Sequence, residues 1–429
     1  ALTLRGLPSP DVAAATTTAV PAPELRWKLD LQGQLDGTPQ AVQVQLEGSA
    51  DDNRLELTRA SAKSGGASAE LTAGVARAGG SVWAITTAGT VTDFDPLPWW
   101  PGEAGSAWRK GPHRLSGDWT FDLRVPGNAE RLPLLELAQR VAGNGRLRVQ
   151  RSMLAGVPLS ADLTLAYTPK ATPMPATLAA DVLLGGNRLR LDGRGDPAGP
   201  GGSDRWRLEL GAEALAALAP LAPLHPALAG WTPRGGSLHA TLAADGRWPV
   251  MRTEGSATAA QLQLGPLRLA RGTAAWGLET GGAQPLALKL ELADLGYGTQ
   301  RADNLRAELR GTLAEHEIDV SGAMPVVPPP AAERLLGIQV QSGTRAQMQA
   351  RGQWLPNVAP AAGGGRWKAQ IQRLVVGSWD GGSGTAPPAS GWVEARDLRA
   401  EFEFDAGMAL VALQAAPGRL QLADAVALR

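Results

Sequence analysis

Residues 284–295 read QPLALKLELADL. Leu286, Leu288, Leu290 and Leu292 fall on every second position, with Ala287, Lys289 and Glu291 between them. A period of two belongs to a β-strand with one apolar and one wet face, whereas a helix would repeat every 3.6 residues. The apolar face has three possible neighbours: an ordinary packed core, a partner protein, or a molecule that is not protein.

Working outward, the same alternation recurs along the chain. Examples are Trp27-Leu29-Leu31, Val42-Val44-Leu46, Leu147-Val149, Leu159-Ala161-Leu163-Leu165-Tyr167, Leu262-Leu264, Leu267-Leu269, Leu305-Ala307-Leu309 and Leu398-Ala400-Phe402-Phe404. Turn signals punctuate these runs: Gly48-Ser49, Gly65-Gly66, Gly79-Gly80, Gly185-Gly186-Asn187, Gly265-Pro266 and Gly281-Gly282. One apolar face per strand suits an antiparallel or open sheet better than a doubly covered parallel one. At about 14 residues per strand and turn, the chain has room for about 30 strands.

Helical pattern is confined to three short stretches: 129–143, with a start near Pro133, 213–221, stopped near Pro220, and 331–337. Proline- and glycine-rich breaks fall at 168–177, 195–204, 324–330, 358–365 and 380–391. A loose repeat is visible, in which Trp opens an alternating run at WKLDL (27–31), VWAIT (82–86), WRLEL (206–210) and WKAQI (367–371). Its irregular spacing suits a degenerate module of about 100 residues. The expected organisation is four modules, 1–105, 106–222, 223–325 and 326–429, in one continuous all-β structure with short helices at the boundaries.

Composition agrees. The chain has 53 Gly and 33 Pro but only 4 Phe and 2 Tyr, against 14 Trp. Its interior is therefore built from Leu, Val and Ala, which suits many strands better than an aromatic-packed enzyme core. Lys and Arg (41) balance Asp and Glu (41), which argues against a nucleic-acid partner. There is no cysteine, so disulfides, thiolate metal sites and cysteine nucleophiles are excluded. No apolar run approaches the 18 or more residues of a membrane-spanning helix. The first twenty residues lack the pattern of a signal peptide, so a targeting or anchoring element is expected upstream.

Motifs that carry chemistry are scarce. His113, His225, His239 and His316 are scattered and read as surface or turn histidines, with His316 in a turn. The carboxylate pairs Asp51-Asp52, Asp93-Asp95 and Glu315/Glu317 read as solvated turns rather than as the paired acids of glycoside hydrolysis. The stretch TDFDPLPWWPG (92–102) reads as a structured corner, with a membrane or partner contact through Trp99-Trp100 as the second reading. The expectation is a protein that is not an enzyme and needs no metal or cofactor.

The run GPLRLARGTAAWGLETGGAQPLALKLELADLGYGTQRADNLRAELRGTLAEHEIDVSG (265–322) resembles the TamB family, the large periplasmic subunits of the translocation and assembly module. The stretches 217–249 and FDPLPWWPG (94–102) carry the same likeness. The resemblance implies an elongated, curled open sheet, or β-taco, from the centre of a longer protein anchored in the inner membrane of a Gram-negative envelope. It implies transport of phospholipid between inner and outer membranes, and an outer-membrane TamA-like barrel as partner through regions outside this chain. On that reading Leu262, Leu264, Leu267, Leu269, Leu286, Leu288, Leu290, Leu292, Leu305 and Leu309 line a groove for acyl chains. Two other readings stand beside it: a scaffold assisting insertion of outer-membrane β-barrels or autotransporters, and, more remotely, an all-β carbohydrate-active protein.

Overall fold

A computed structural model describes residues 24–34, 40–79, 81–99, 102–103, 105–128, 141–168, 176–196, 204–247, 250–279, 285–325, 333–334, 343–356, 365–378, 391–405, 409–416, 418–422 and 426–428. The protein is nearly all β. Its chain divides into two compact units, Ala1–Leu208 with Ala217–Thr232, and Glu209–Ala216 with Pro233–Arg429.

The first unit holds β1 (Leu25–Gln34), β2 (Ala41–Ala50), β3 (Arg54–Ser64), β4 (Ala67–Arg77), β5 (Val82–Phe94), β6 (Leu115–Pro126), β7 (Ala142–Leu154), β8 (Val157–Tyr167), β9 (Ala176–Leu184) and β10 (Asn187–Gly195). Each pairs antiparallel with the next in chain order. The division between the units falls inside β11 (Arg205–Ala212). The second unit continues with β12 (Pro233–Arg247), β13 (Val250–Leu264), β14 (Leu267–Glu279), β15 (Leu286–Tyr297), β16 (Gln300–Gly311), β17 (His316–Met324), β18 (Thr344–Pro356), β19 (Gly365–Ser378) and β20 (Gly391–Phe404). The short strands β21 (Leu410–Ala416) and β22 (Arg419–Leu422) share one edge of β20, and β23 (Val426–Leu428) pairs with β22. Among the described residues, no pairing joins the first and last strands of either run, so the sheet stays open.

The 23 strands among the described residues are longer than the sequence spacing suggests, many running 9 to 15 residues. Ala, Gly, Ser and Thr extend the alternation where no large side chain marks it. Gly48-Ser49, expected as a turn, lies inside β2. Gly65-Gly66, Gly185-Gly186 and Gly265-Pro266 are the hairpin turns expected of them.

Local kinks interrupt strands in both units. Asp93, Arg151, Gln261, Asp294 and Asp397 sit within strands at φ between 48° and 53°, the left-handed region. Register breaks accompany Asp93 in the β5–β6 pair and Arg151 in the β7–β8 pair. Such irregularities bend a strand and raise its local twist.

The segment expected as a helix over 213–221 is instead a 3-10 turn, Leu215–Leu224, and it runs past Pro220. Pro220 and Pro223 lack the N–H groups that an α-helix would use there. Ala217 and Leu218 of this segment lie against Gly185 in the β9–β10 turn. Most of the 129–143 stretch lies outside the described residues, although Ala142 and Gly143 open β7. Of 331–337, Glu333 and Arg334 are described and helical. The proline-rich breaks also fall largely outside the described residues.

The 95–113 corner is built by local hydrogen bonds. Asp95 Oδ1 accepts from the Leu97 N–H at 3.0 Å, and Trp99 lies 6.2 Å from Phe94. His113 is buried, stacked on Trp108 at 4.2 Å. Its Nε2 is 2.7 Å from the Trp108 carbonyl, and its Nδ1 accepts from the Ala155 N–H at 3.0 Å. The histidine thus fastens the corner to the β7–β8 turn. Trp100 lies outside the described residues.

Candidate functional site

Strand alternation is a local property, but a continuous surface needs the registers of successive pairs to agree. In both units they do. In the second unit one row of directly opposed residues reads Leu242, Gly255, Trp276, Leu288, Leu309, Ile318, Ala350, Ile371 and Leu398. The next row reads Ala240, Ala257, Ala274, Leu290, Ala307, Val320, Met348, Leu374 and Ala395. A third passes through Leu238, Ala259, Gly272, Leu292, Leu305, Gly322, Ala346, Val376 and Val393. Not one charged side chain interrupts the three rows. The first unit carries an equivalent row: Leu29, Leu46, Ala60, Leu71, Gly89, Trp119, Leu147, Leu163, Ala180 and Leu191.

All ten leucines singled out from the sequence lie on this face of β13–β16. Leu286, Leu288, Leu290 and Leu292 alternate with exposed Ala287, Lys289 and Glu291. Leu305 and Leu309 oppose Leu292 and Leu288. Leu262 opposes Leu269, and Leu264 opposes Leu267. The kink at Gln261 keeps this second group on the same face, because Leu269 reaches over Gly272 beside Leu292.

Burial decides what kind of face this is. Leu262, Leu269 and Leu286 are buried, at 7–8% exposure, whereas Leu288, Leu290, Leu292, Leu305 and Leu309 are only half-buried. The largest fully buried side chain among the described residues is a valine, Val157. A close-packed core would enclose many leucines completely. Here the central leucines of the face keep intermediate exposure.

The opposite face is charged and wet. Lys289 faces Glu308 at 3.7 Å and Arg306 faces Glu291 at 3.8 Å. Lys28 pairs with Glu47 at 2.6 Å, which holds the Glu47 carboxyl below its ordinary range. This face also carries shallow depressions that the sequence reading missed. One of about 700 Å³ in the first unit lies among Thr72, Gly74, Thr86, Thr120, Asn144 and Arg146. It forms where Gly74, Ala76, Ala84 and Ala88 leave gaps between longer side chains. The small-residue stretch TTAGTVT (86–92) is its only trace in the sequence.

The residues weighed for chemistry have local structural partners. Asp51 Oδ1 accepts from the Asn53 and Arg54 N–H groups at 2.7 and 2.8 Å. Glu317 pairs with Arg351 at 2.9 Å. His225 accepts from the Ala227 N–H, and His239 lies 3.0 Å from Glu213. His316 is neither exposed nor in a turn: it is buried as the first residue of β17. Its Nδ1 is 3.0 Å from the Thr312 carbonyl, and its Nε2 accepts from Trp367 Nε1 at 2.8 Å. Among the described residues no three potential metal ligands come together, and no helix is long and apolar enough to cross a membrane.

No family model, curated protein or solved structure matches the chain. The class defined by fold and face is an open antiparallel β-sheet with a partly uncovered apolar surface in each unit.

Proposed function

We propose that the apolar face carries the acyl chains of phospholipid, as part of a periplasmic conduit between inner and outer membranes. The observation that carries this reading is the agreement of registers: apolar rows run unbroken across nine strands and most of their residues are half-buried. At about 4.8 Å per strand, nine strands give about 38 Å of sheet measured across them. An acyl chain of about 16 carbons loses roughly 13 kcal/mol when moved from apolar surroundings into water, at about 0.8 kcal/mol per CH₂. A lining of Leu, Val, Ile and Ala offsets most of that without a shaped pocket, while headgroups keep their water at the open rim. The mechanism is passive, with no bond made or broken.

The resemblance to TamB proteins supports the same reading, and with it an inner-membrane anchor upstream and a TamA-like barrel as partner. Native mass spectrometry of the purified chain tests it. The expected outcome is phospholipid adducts that survive desalting; a spectrum of bare protein from a membrane-containing preparation sinks the proposal. The scaffold reading draws on β21, where Leu410, Val411 and Leu413 are 53–59% exposed on a short outer strand. Photo-crosslinkers placed at Leu288 and Leu413 separate the two: lipid adducts at Leu288 favour the conduit, and client-protein adducts at Leu413 favour the scaffold.

A further inference from the structure

Glycine in a strand interior ordinarily weakens the strand, and it often marks close approach of another group. At six glycines of the apolar face the approaching group is an aromatic ring. In the first unit Trp27 lies over Gly48, Trp119 over Gly89, Phe121 over Gly145 and Trp206 over Gly193. In the second, Trp276 lies over Gly255 and Trp367 over Gly352. In every case a Cβ added to the glycine would stand closer than 3.0 Å to ring atoms. Each ring therefore leans sideways across the next strand. Hydrogen bonds hold two of them down, from Trp119 Nε1 to Thr87 Oγ1 at 3.2 Å and from Trp367 Nε1 to His316. These rings are half-buried, apart from Trp206 at 37% exposure, as expected of a ring with one side on the sheet and the other open.

A leaning ring rises only about one van der Waals contact, roughly 3.5–4 Å, above the neighbouring backbone. An upright tryptophan would stand like a post in the middle of the leucine rows. We propose that these glycines are depth-setting residues of the apolar face. They let the largest side chains lie low, so that a flexible acyl chain passes over them and touches their open side. The inference rests on the acyl-chain reading above and adds the residues that determine how bulky an occupant fits. It also gives the recurring Trp of WKLDL, WRLEL and WKAQI a role that strand alternation alone does not supply.

Gly145 and Gly193 are the cleanest positions to test. Their φ angles lie outside the left-handed region, and the nearest atoms to an added Cβ belong to Phe121 and Trp206 rather than to backbone. The full 429-residue chain is incubated with phosphatidylethanolamine–phosphatidylglycerol vesicles containing a lipid brominated along its acyl chain. Retained lipid, tryptophan emission and circular dichroism are then measured. The parent should retain lipid with quenched tryptophan emission. Gly145→Ala and Gly193→Ala should retain about five-fold less, with unchanged circular dichroism, and Phe121→Leu combined with Gly145→Ala should recover to within about two-fold. Unquenched tryptophans in a lipid-loaded parent overturn the proposal, as does undiminished retention in both alanine variants. If the alanine variants do not fold, the quenching measurement decides alone. A parent that retains no lipid overturns the acyl-chain reading itself, and this inference with it.

Discussion

His316 shows how a single residue can be misplaced by sequence reading. Two acidic neighbours in AEHEID suggest a wet turn, yet the ring is buried, taking a hydrogen bond from Trp367 and facing the Thr312 carbonyl. Trp367 in turn stacks on Phe402 at 5.0 Å. His316→Ala leaves the indole N–H without its acceptor, which costs about 1–3 kcal/mol for a buried donor. Urea unfolding followed by tryptophan fluorescence should show that loss, and an unchanged midpoint would mean the histidine only fills space. The glycines opposite aromatic rings are the same kind of case. Gly48 reads as half of a turn dipeptide because its partner, Trp27, lies on another strand.

At the scale of elements, the polar face carries a charge ladder across β7–β10. Asp162 stands directly opposite Asp181, an arrangement that is unfavourable by itself. Arginines on the flanking strands resolve it. Arg146 bonds Asp162 at 2.8 Å with Arg148 at 3.5 Å, while Arg188 bonds Asp181 with Arg190 at 3.6 Å. The hydrogen bond from Arg146 holds the Asp162 carboxyl below its ordinary range, and that from Arg188 does the same for Asp181. A carboxyl depressed in the folded state adds stability above its unfolded pKa, about 3.9, and loses it as pH falls through the folded value. The first unit should therefore weaken from about pH 4 downward. The variant combining Asp162→Asn with Asp181→Asn should show a smaller drop in urea midpoint between pH 7 and pH 3 than the parent. An equal drop would place the acid sensitivity elsewhere.

At the scale of the whole molecule, the absence of large, fully buried side chains among the described residues matters more than any one contact. The apolar face of each unit tolerates a long polar side chain, because an arginine can lay its stem on the sheet and lift its charge to the rim. Leu288→Arg in the second unit and Leu163→Arg in the first should fold with parental circular dichroism. Each should lower retained phospholipid several-fold, measured by native mass spectrometry, because a guanidinium in the leucine rows disfavours an acyl chain beside it. Parental lipid content in both variants would remove the apolar face from consideration as a lipid surface.

The alternation in QPLALKLELADL set its own outcome: which side chains share a face follows from the pleat, a relation between a residue and its neighbours two positions away. Strand content, the hairpin turns at Gly65-Gly66, Gly185-Gly186 and Gly265-Pro266, and the shared side of the leucines in β13–β16 were legible for that reason. Strand length was not, since Ala, Gly, Ser and Thr carry little periodic signal. Register was not legible either, because it depends on turn geometry and on bulges such as those at Asp93 and Arg151, which set how each strand slides against the next. Only the tertiary structure aligned Leu288 with Trp276 and Leu309, laid Trp119 across Gly89, and left the combined face half-covered. Pairing and coverage are relations between residues on different strands, and a periodicity within one strand contains neither.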